Sequence, residues 1–64
     1  MITAKAARVN RGYSQEYCAK GLNISRSMYI KYENGVVSPS LPVARKIAKF
    51  LEVDLDDIVF LPKI

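Results

Sequence analysis

Residues that stop helices divide this chain into short segments, and that division limits the folds it can adopt. Its three glycines stand at positions 12, 21 and 35, and Pro39 follows the third. Glycine is common just past the end of a helix and proline cannot continue one, so no helix exceeds about three turns. Between these stops the apolar residues recur at helical spacing rather than in alternation, which favours short helices over strands.

Each segment begins with a residue that can cap a helix N-terminus, and five helices follow from this pattern. The predicted helices run from Thr3 to Asn10 or Arg11, from Ser14 to about Gly21, from Ser25 to Asn34, from Ser40 or Leu41 through Leu51, and from Asp54 to before Pro62. The fourth is expected to bury Leu41, Ala44, Ile47, Ala48 and Leu51. We therefore expect an all-α fold in which residues 1–64 form one compact domain.

The inventory of side chains excludes several kinds of protein. The 64-residue chain has no His and one Cys, so a Cys/His zinc site, a disulfide framework and a Ser-His-Asp triad cannot be built from it. Its longest uncharged apolar stretch, residues 58–62, is far shorter than the ~20 residues that span a bilayer. We expect a cytoplasmic protein without catalytic site, metal, cofactor, small-molecule substrate or membrane partner, and the lone Cys18 suits a reducing compartment.

Positive charge is concentrated in the first half of the chain. The formal net charge is +4 at pH 7, of which residues 1–31 contribute +5 and residues 32–64 contribute −1. The basic half is where a polyanion would bind. A charged, solvated face without any partner is the alternative explanation.

The third predicted helix has two unlike faces. Ser25, Tyr32 and Glu33 fall within about 60° of Tyr29 on a helical wheel and form the inner face. The outer face carries Ser27, Met28, Ile30, Lys31 and Asn34, with Arg26 at the helix N-terminus. Cationic and hydroxyl side chains can donate to base edges, and an exposed aliphatic side chain can cover a thymine methyl group. An ordinary exposed helix face is the alternative.

The segment YSQEYCAKGLNISRSMYIKYENG, residues 13–35, resembles the helix-turn-helix of the lambda Cro/CI-type (XRE-like) repressor family. The likeness rests on Ser14-Gln15-Glu16, on Ala19, on the turn from Leu22 to Ser27 and on Tyr32-Glu33-Asn34-Gly35. It continues through Pro39-Ser40-Leu41, Lys46-Ile47-Ala48 and the stretch from Val53 to Ile58, and so covers nearly the whole chain. The resemblance implies a five-helix lambda-repressor-like domain that binds double-stranded DNA in a sequence-specific manner and regulates transcription, most simply as a repressor.

The resemblance also implies roles for individual residues, with residues 25–34 placed in the major groove. Arg26, Ser27 and Lys31 match base-reading positions, and Ile30 shares their face. Gln15 and Asn34 match contacts to the DNA backbone, where we also expect Lys5 and Arg11, and Gln15 can brace the first residue of the recognition helix. Val36 and Val37 are expected to meet the backbone through their main-chain N–H groups.

Arg8 and Glu33 fall on faces that should otherwise be apolar. An unpaired buried charge is costly, so we expect the two to pair, as the family pattern also implies. In the alternative, both are edge residues whose charged ends reach water. The sequence departs from the family at Tyr29, Cys18, Ala4 and Ala44, and we expect bulky tyrosines to fill the space that the alanines leave.

The apolar C-terminal end predicts self-association. Phe60, Leu61 and Ile64 exceed what so small a domain can cover, so we expect them to form the interface of a homodimer on two half-sites. In the alternative, Phe60 and Leu61 fold back over Ile2 and Val9 as a monomeric cap. The rival functions are an antitoxin-like or adaptor module with secondary DNA binding, which a co-purifying partner would reveal, and an enzyme.

Overall fold

The computed structural model describes residues 1–60, and these form four helices and one short pair of parallel strands. The elements are β1 (Ile2–Thr3), α1 (Ala4–Arg11), α2 (Gln15–Leu22), α3 (Arg26–Glu33), α4 (Leu41–Phe50) and β2 (Ile58–Val59). The sequence predicts an all-α fold, and the described residues are mostly helical, with the short strand pair as the departure. No helix within residues 1–60 is long and apolar enough to cross a membrane.

Hydroxyl side chains cap the first three helices at the predicted positions. Their oxygens accept from backbone N–H groups three residues ahead: Thr3 from Ala6 at 3.1 Å, Ser14 from Tyr17 at 3.0 Å and Ser25 from Met28 at 3.1 Å. Each cap satisfies one amide that the first turn leaves without a partner, which contributes about 1 kcal/mol. Ser40 precedes α4 without such a bond, and Pro42 in that first turn already removes one donor.

Helix α2 runs past Gly21 and ends one residue later than predicted. A Cβ atom at Gly21 would lie 2.3 Å from Cε1 of Phe50, so the glycine permits close approach of the last ring of α4. The helix stops instead at Asn23, whose φ of 59° is in the left-handed region that Asn tolerates better than most residues.

The predicted fifth helix is absent from residues 1–60. After Asp54 the chain makes a single turn, in which the amides of Asp57 and Ile58 donate to the Asp54 carbonyl at 2.9 and 3.2 Å. It then enters β2, where Ile58 lies opposite Ile2 and Val59 opposite Thr3. One isolated helical turn gains little cooperative stability, whereas β-branched residues suit strand pairing, so the strand pair forms in place of a helix.

The core draws on all four helices and on β2. Its buried members are Ala4, Ala7, Cys18, Ala19, Tyr29, Ile47, Ala48, Leu51 and Ile58. Tyr29 is the largest fully buried side chain and shares this cluster with Ala4 and Ala7 of α1. The prediction that Leu41 is buried is wrong, because this first residue of α4 is 55% exposed, and Val43 rather than Leu41 packs against the core cluster.

Candidate nucleic-acid interface

Helices α2 and α3 pack against each other and are joined by a tight turn, residues 23–25. The amides of Asn23 and Ile24 donate back to the carbonyls of Lys20 and Ala19 at 3.1 and 3.0 Å. Ile24 also packs against the core. These contacts fix the direction in which α3 leaves α2.

Helix α3 turns one face inward and presents the other to solvent. Tyr29 and Glu33 are each 1% exposed, and Tyr32 is half-buried. The side chains expected to contact DNA lie on the outer side: Arg26, Ser27, Lys31 and the C-cap residue Asn34 are exposed, and Ile30 is half-buried. No carboxylate within residues 1–60 forms an ion pair with Arg26 or Lys31.

Arg26 also borders an open depression of about 450 Å³ between α2 and the start of α3. The other lining residues are Ser14, Glu16, Tyr17 and Lys20. Lys20 and Arg26 bring two positive charges to this depression against the single carboxylate of Glu16. Lys20 is one of the cations of the basic half of the chain that are expected to neutralise phosphates, and it is exposed on α2.

The carboxylate of Glu33 accepts hydrogen bonds from two different elements. Arg8 on α1 donates through Nε to Oε1 at 2.9 Å, and Gln15 on α2 donates through Nε2 to Oε2 at 3.0 Å. Arg8 uses its Nη1 to donate to the carbonyl oxygen of Tyr13 at 2.8 Å. The side chain of Arg8 is 14% exposed and that of Glu33 is fully buried, so this ion pair is largely screened from water.

Gln15 therefore braces the last residue of α3 and not Arg26 at its start, which is the residue the family resemblance pointed to. Its side chain is half-buried at the first position of α2. Sequence reasoning missed this contact because Gln15 and Glu33 belong to different helices, and no local pattern reports their distance.

Arg11 is engaged within the protein. Its guanidinium forms an exposed ion pair with Glu52 and lies 5.7 Å from the centroid of the Tyr13 ring. The Tyr13 side chain, and after it the Glu52 carboxylate, raises the pKa of Arg11. Glu52 has a φ of 58°, an uncommon conformation for a residue other than glycine. Lys5, the other cation assigned to α1, is exposed.

The main-chain amides of Val36 and Val37 are not available to DNA, contrary to the prediction. Both donate to the carbonyl oxygen of Lys31, at 2.9 and 3.3 Å, and so close the turn that ends α3. Their side chains are instead the exposed groups, at 53% and 37%.

Behind α3, two weakly acidic side chains are buried next to each other. Burial raises the pKa of the Cys18 thiol and that of the Tyr29 phenol. The Tyr29 hydroxyl has no hydrogen bond of good geometry within residues 1–60, although the Cys18 thiol lies near enough to raise the Tyr29 pKa further. Both groups are therefore neutral at pH 7 and serve packing. No three Cys, Asp or Glu side chains in the described part of the chain are grouped closely enough to hold a metal ion.

At the C-terminal end, Phe60 is half-buried and packs against the core cluster. Leu61 and Ile64, the other residues assigned to a dimer interface, lie outside the described residues.

Comparison with known proteins assigns most of the chain to one family. The helix-turn-helix family matches residues 5–58. The chain is 38% identical to the cryptic phage CTXphi transcriptional repressor RstR of Vibrio cholerae, over 81% of this chain and 47% of that protein. It is 44% identical to an uncharacterized HTH-type transcriptional regulator of Methanocaldococcus jannaschii, over 84% of this chain and 82% of the relative.

A third relative is the SPbeta prophage-derived uncharacterized HTH-type transcriptional regulator YonR of Bacillus subtilis, 40% identical over 81% of this chain and 48% of its own length. The chain thus spans about half the length of two of these three relatives. No solved structure matches it.

Proposed function

The chain belongs to the helix-turn-helix family, and on that premise we propose that it is a transcriptional regulator that binds double-stranded DNA in a sequence-specific manner. The relative from Vibrio cholerae is named a repressor, and we propose repression here as well. A bound protein of this kind represses by occupying a site that polymerase needs. Helix-turn-helix regulators are not a class of enzymes.

The observation that carries this proposal is the two-sided burial of α3. Tyr29 and Glu33 anchor one face in the core, while Arg26, Ser27 and Lys31 stand free on the other. A helix held in this way can enter the major groove without disturbing its own packing. Arg26 and Lys31 can donate to guanine O6 and N7, Ser27 can bond a base edge, and Ile30 can cover a thymine methyl group.

The contacts to the DNA backbone come from elements around α3. We assign them to Gln15 at the start of α2, Asn34 at the end of α3, and Lys5 and Arg11 on α1. Lys20 joins this set because it shares the depression with Arg26. Such contacts set the register of the protein on the duplex without reading its sequence. Each neutralised phosphate adds ~0.9 to the steepness of the slope of log affinity against log salt concentration.

We further propose that residues 1–64 act as one domain and that the protein binds as a homodimer. One copy offers a single recognition helix, whereas two copies related by a two-fold axis reach two half-sites about one helical turn apart. We place the interface at the C-terminal end, around Phe60, Leu61 and Ile64.

Selection from a pool of random duplexes, followed by a salt titration, tests the proposed function. We expect enrichment of a short motif and an affinity that falls steeply with salt. An Arg26→Ala, Ser27→Ala variant should lose the enrichment while it remains folded, because both side chains are exposed. A pool without enrichment together with a flat salt titration would contradict sequence-specific binding.

A further inference from the structure

We propose that Glu33 is a positioning residue for DNA binding, because it holds the side chain of Gln15 ready for a phosphate. This inference rests on the proposed function and on the assignment of Gln15 to the DNA backbone. The buried ion pair would then have a second role, because the Glu33 carboxylate that pairs with Arg8 would also order Gln15.

The geometry divides the two carboxylate oxygens between two partners. Oε1 accepts from Arg8 at 2.9 Å, and Oε2 accepts from Gln15 at 3.0 Å. Arg8 is in turn held by the carbonyl of Tyr13 at 2.8 Å, and the Glu33 side chain is fully buried. The carboxylate therefore has no freedom to turn away, and it offers Gln15 a fixed, charged acceptor.

Gln15 keeps hydrogen-bonding capacity after this contact. Its Nε2 carries two protons, of which Glu33 takes one, and the second N–H remains available to an acceptor. The residue is also the first of α2, beside backbone amides that have no partner within the helix. A phosphate oxygen at this end would meet both the side-chain N–H and the positive end of the helix.

A side chain that is already ordered in the free protein loses less conformational entropy when it binds DNA. An unanchored Gln side chain loses rotamer freedom when it contacts DNA, and restricting one such side chain weakens binding by about two- to tenfold. In this protein the fold has already restricted Gln15. Loss of Glu33 should therefore reduce DNA affinity through Gln15, in addition to any effect on stability.

A double-mutant cycle on DNA affinity separates this role from a purely structural one. Its arms are wild type, Gln15→Ala, the Arg8→Met, Glu33→Leu variant, and the combination of all three changes. The Arg8→Met, Glu33→Leu change removes one charge of each sign, so the net charge stays at +4 and long-range attraction to DNA is preserved. The probe is a random-sequence duplex of about two helical turns at low salt, because a phosphate contact acts on every sequence.

We expect the loss of the ion pair to weaken binding about two- to tenfold, and Gln15→Ala to cost less in that background than in wild type. Ile47→Val, a change in the core on α4, controls for lost stability and should leave affinity unchanged while the protein is folded. Equal costs of Gln15→Ala in both backgrounds would overturn the role of Glu33. A wild-type protein that does not bind duplex at all would overturn the proposed function instead.

A second measurement uses the unaltered protein and needs no variant to fold. Gln15 is the only glutamine of the chain, so its side-chain amide is assigned once correlation to the side-chain carbons separates it from the three asparagine amides. Without DNA, its nitrogen relaxation should show a rigid group, in contrast to the exposed amide of Asn10. A Gln15 amide as mobile as that of Asn10 would overturn the proposal.

Discussion

Arg8 on α1 and Glu33 on α3, separated by 25 residues in the sequence, form an ion pair of 2.9 Å in which the carboxylate is fully buried. Because Arg8 also bonds the carbonyl of Tyr13, the pair ties α1 and the link after it to the last residue of the recognition helix. The orientation of α3 thus depends on a contact that neither helix could supply alone.

The first prediction is that Arg8→Met lowers the free energy of unfolding by about 3–5 kcal/mol, because it leaves Glu33 buried without its cation. The Arg8→Met, Glu33→Leu variant should recover much of this loss, since it removes both charges from the interior. Urea unfolding of the single and double variants measures both effects.

Lys5→Met is the matched control, as it removes an exposed cation from the same helix and should change stability by less than about 0.5 kcal/mol. If the effects of Arg8→Met and Glu33→Leu simply add, the two side chains do not interact.

The second prediction is that Tyr29→Phe increases the free energy of unfolding by about 1 kcal/mol. The Tyr29 hydroxyl is buried without a hydrogen-bond partner in residues 1–60, so the folded state gains by its removal. Tyr17→Phe, which changes a ring that is more than half exposed, should have little effect. A clear loss of stability in Tyr29→Phe would show that the hydroxyl has a favourable contact.

The same buried groups predict alkaline destabilisation. Burial raises the pKa of Cys18 above its usual 9.0 and that of Tyr29 above its usual 10.0. Above these values the unfolded chain releases protons that the folded protein retains, so stability falls as the pH rises. Unfolding experiments from about pH 8 to about pH 11 should show this fall, and Tyr29→Phe should reduce its part above pH 10. An equal fall in both proteins would contradict the assignment to Tyr29.

The helices that could be predicted from the sequence are those whose ends are decided locally. Thr3, Ser14 and Ser25 cap their helices through bonds to amides three residues ahead, and Gly12 stops α1 in the left-handed conformation. The two faces of α3 were equally predictable, because burial follows the helical period.

The remaining features depend on contacts between distant parts of the chain. The strand pair that replaces the fifth helix brings Ile2 beside Ile58. The glycine inside α2, at position 21, is required because the ring of Phe50 occupies the place of a Cβ atom. The bond between Gln15 and Glu33 likewise joins two helices. Contacts between residues so far apart in the sequence cannot be predicted from a local pattern.

The fourth prediction concerns Arg11, which Glu52 holds within the protein. The Glu52 carboxylate competes with a DNA phosphate for the Arg11 guanidinium, so Glu52→Gln should strengthen binding to duplex DNA. The slope of log affinity against log salt concentration should become steeper by up to ~0.9. Asp56→Asn removes the same charge from another exposed position and controls for the change in net charge. If both variants strengthen binding equally, Arg11 does not contact the backbone.

The fifth prediction concerns assembly at the C-terminal end. Wild-type protein should dimerise weakly in solution and more tightly on a palindromic duplex, and Phe60→Ser should weaken both, as measured by sedimentation. Val9→Ser removes an exposed apolar side chain from α1 and should leave assembly intact. A wild type that is monomeric at high concentration, with Phe60→Ser binding DNA equally well, would assign Phe60 to the core alone.

The most direct test of the central claim, that α3 reads DNA bases, compares Lys31→Ala with wild type on the selected duplex and on all of its single-base variants. We predict that Lys31→Ala loses about 1–3 kcal/mol of discrimination at one base pair and keeps it elsewhere. Lys49→Ala, which removes an exposed lysine from α4, should leave every preference unchanged. A Lys31→Ala variant that binds all duplexes with uniformly lower affinity, or with unchanged preferences, would contradict base reading by this face of α3.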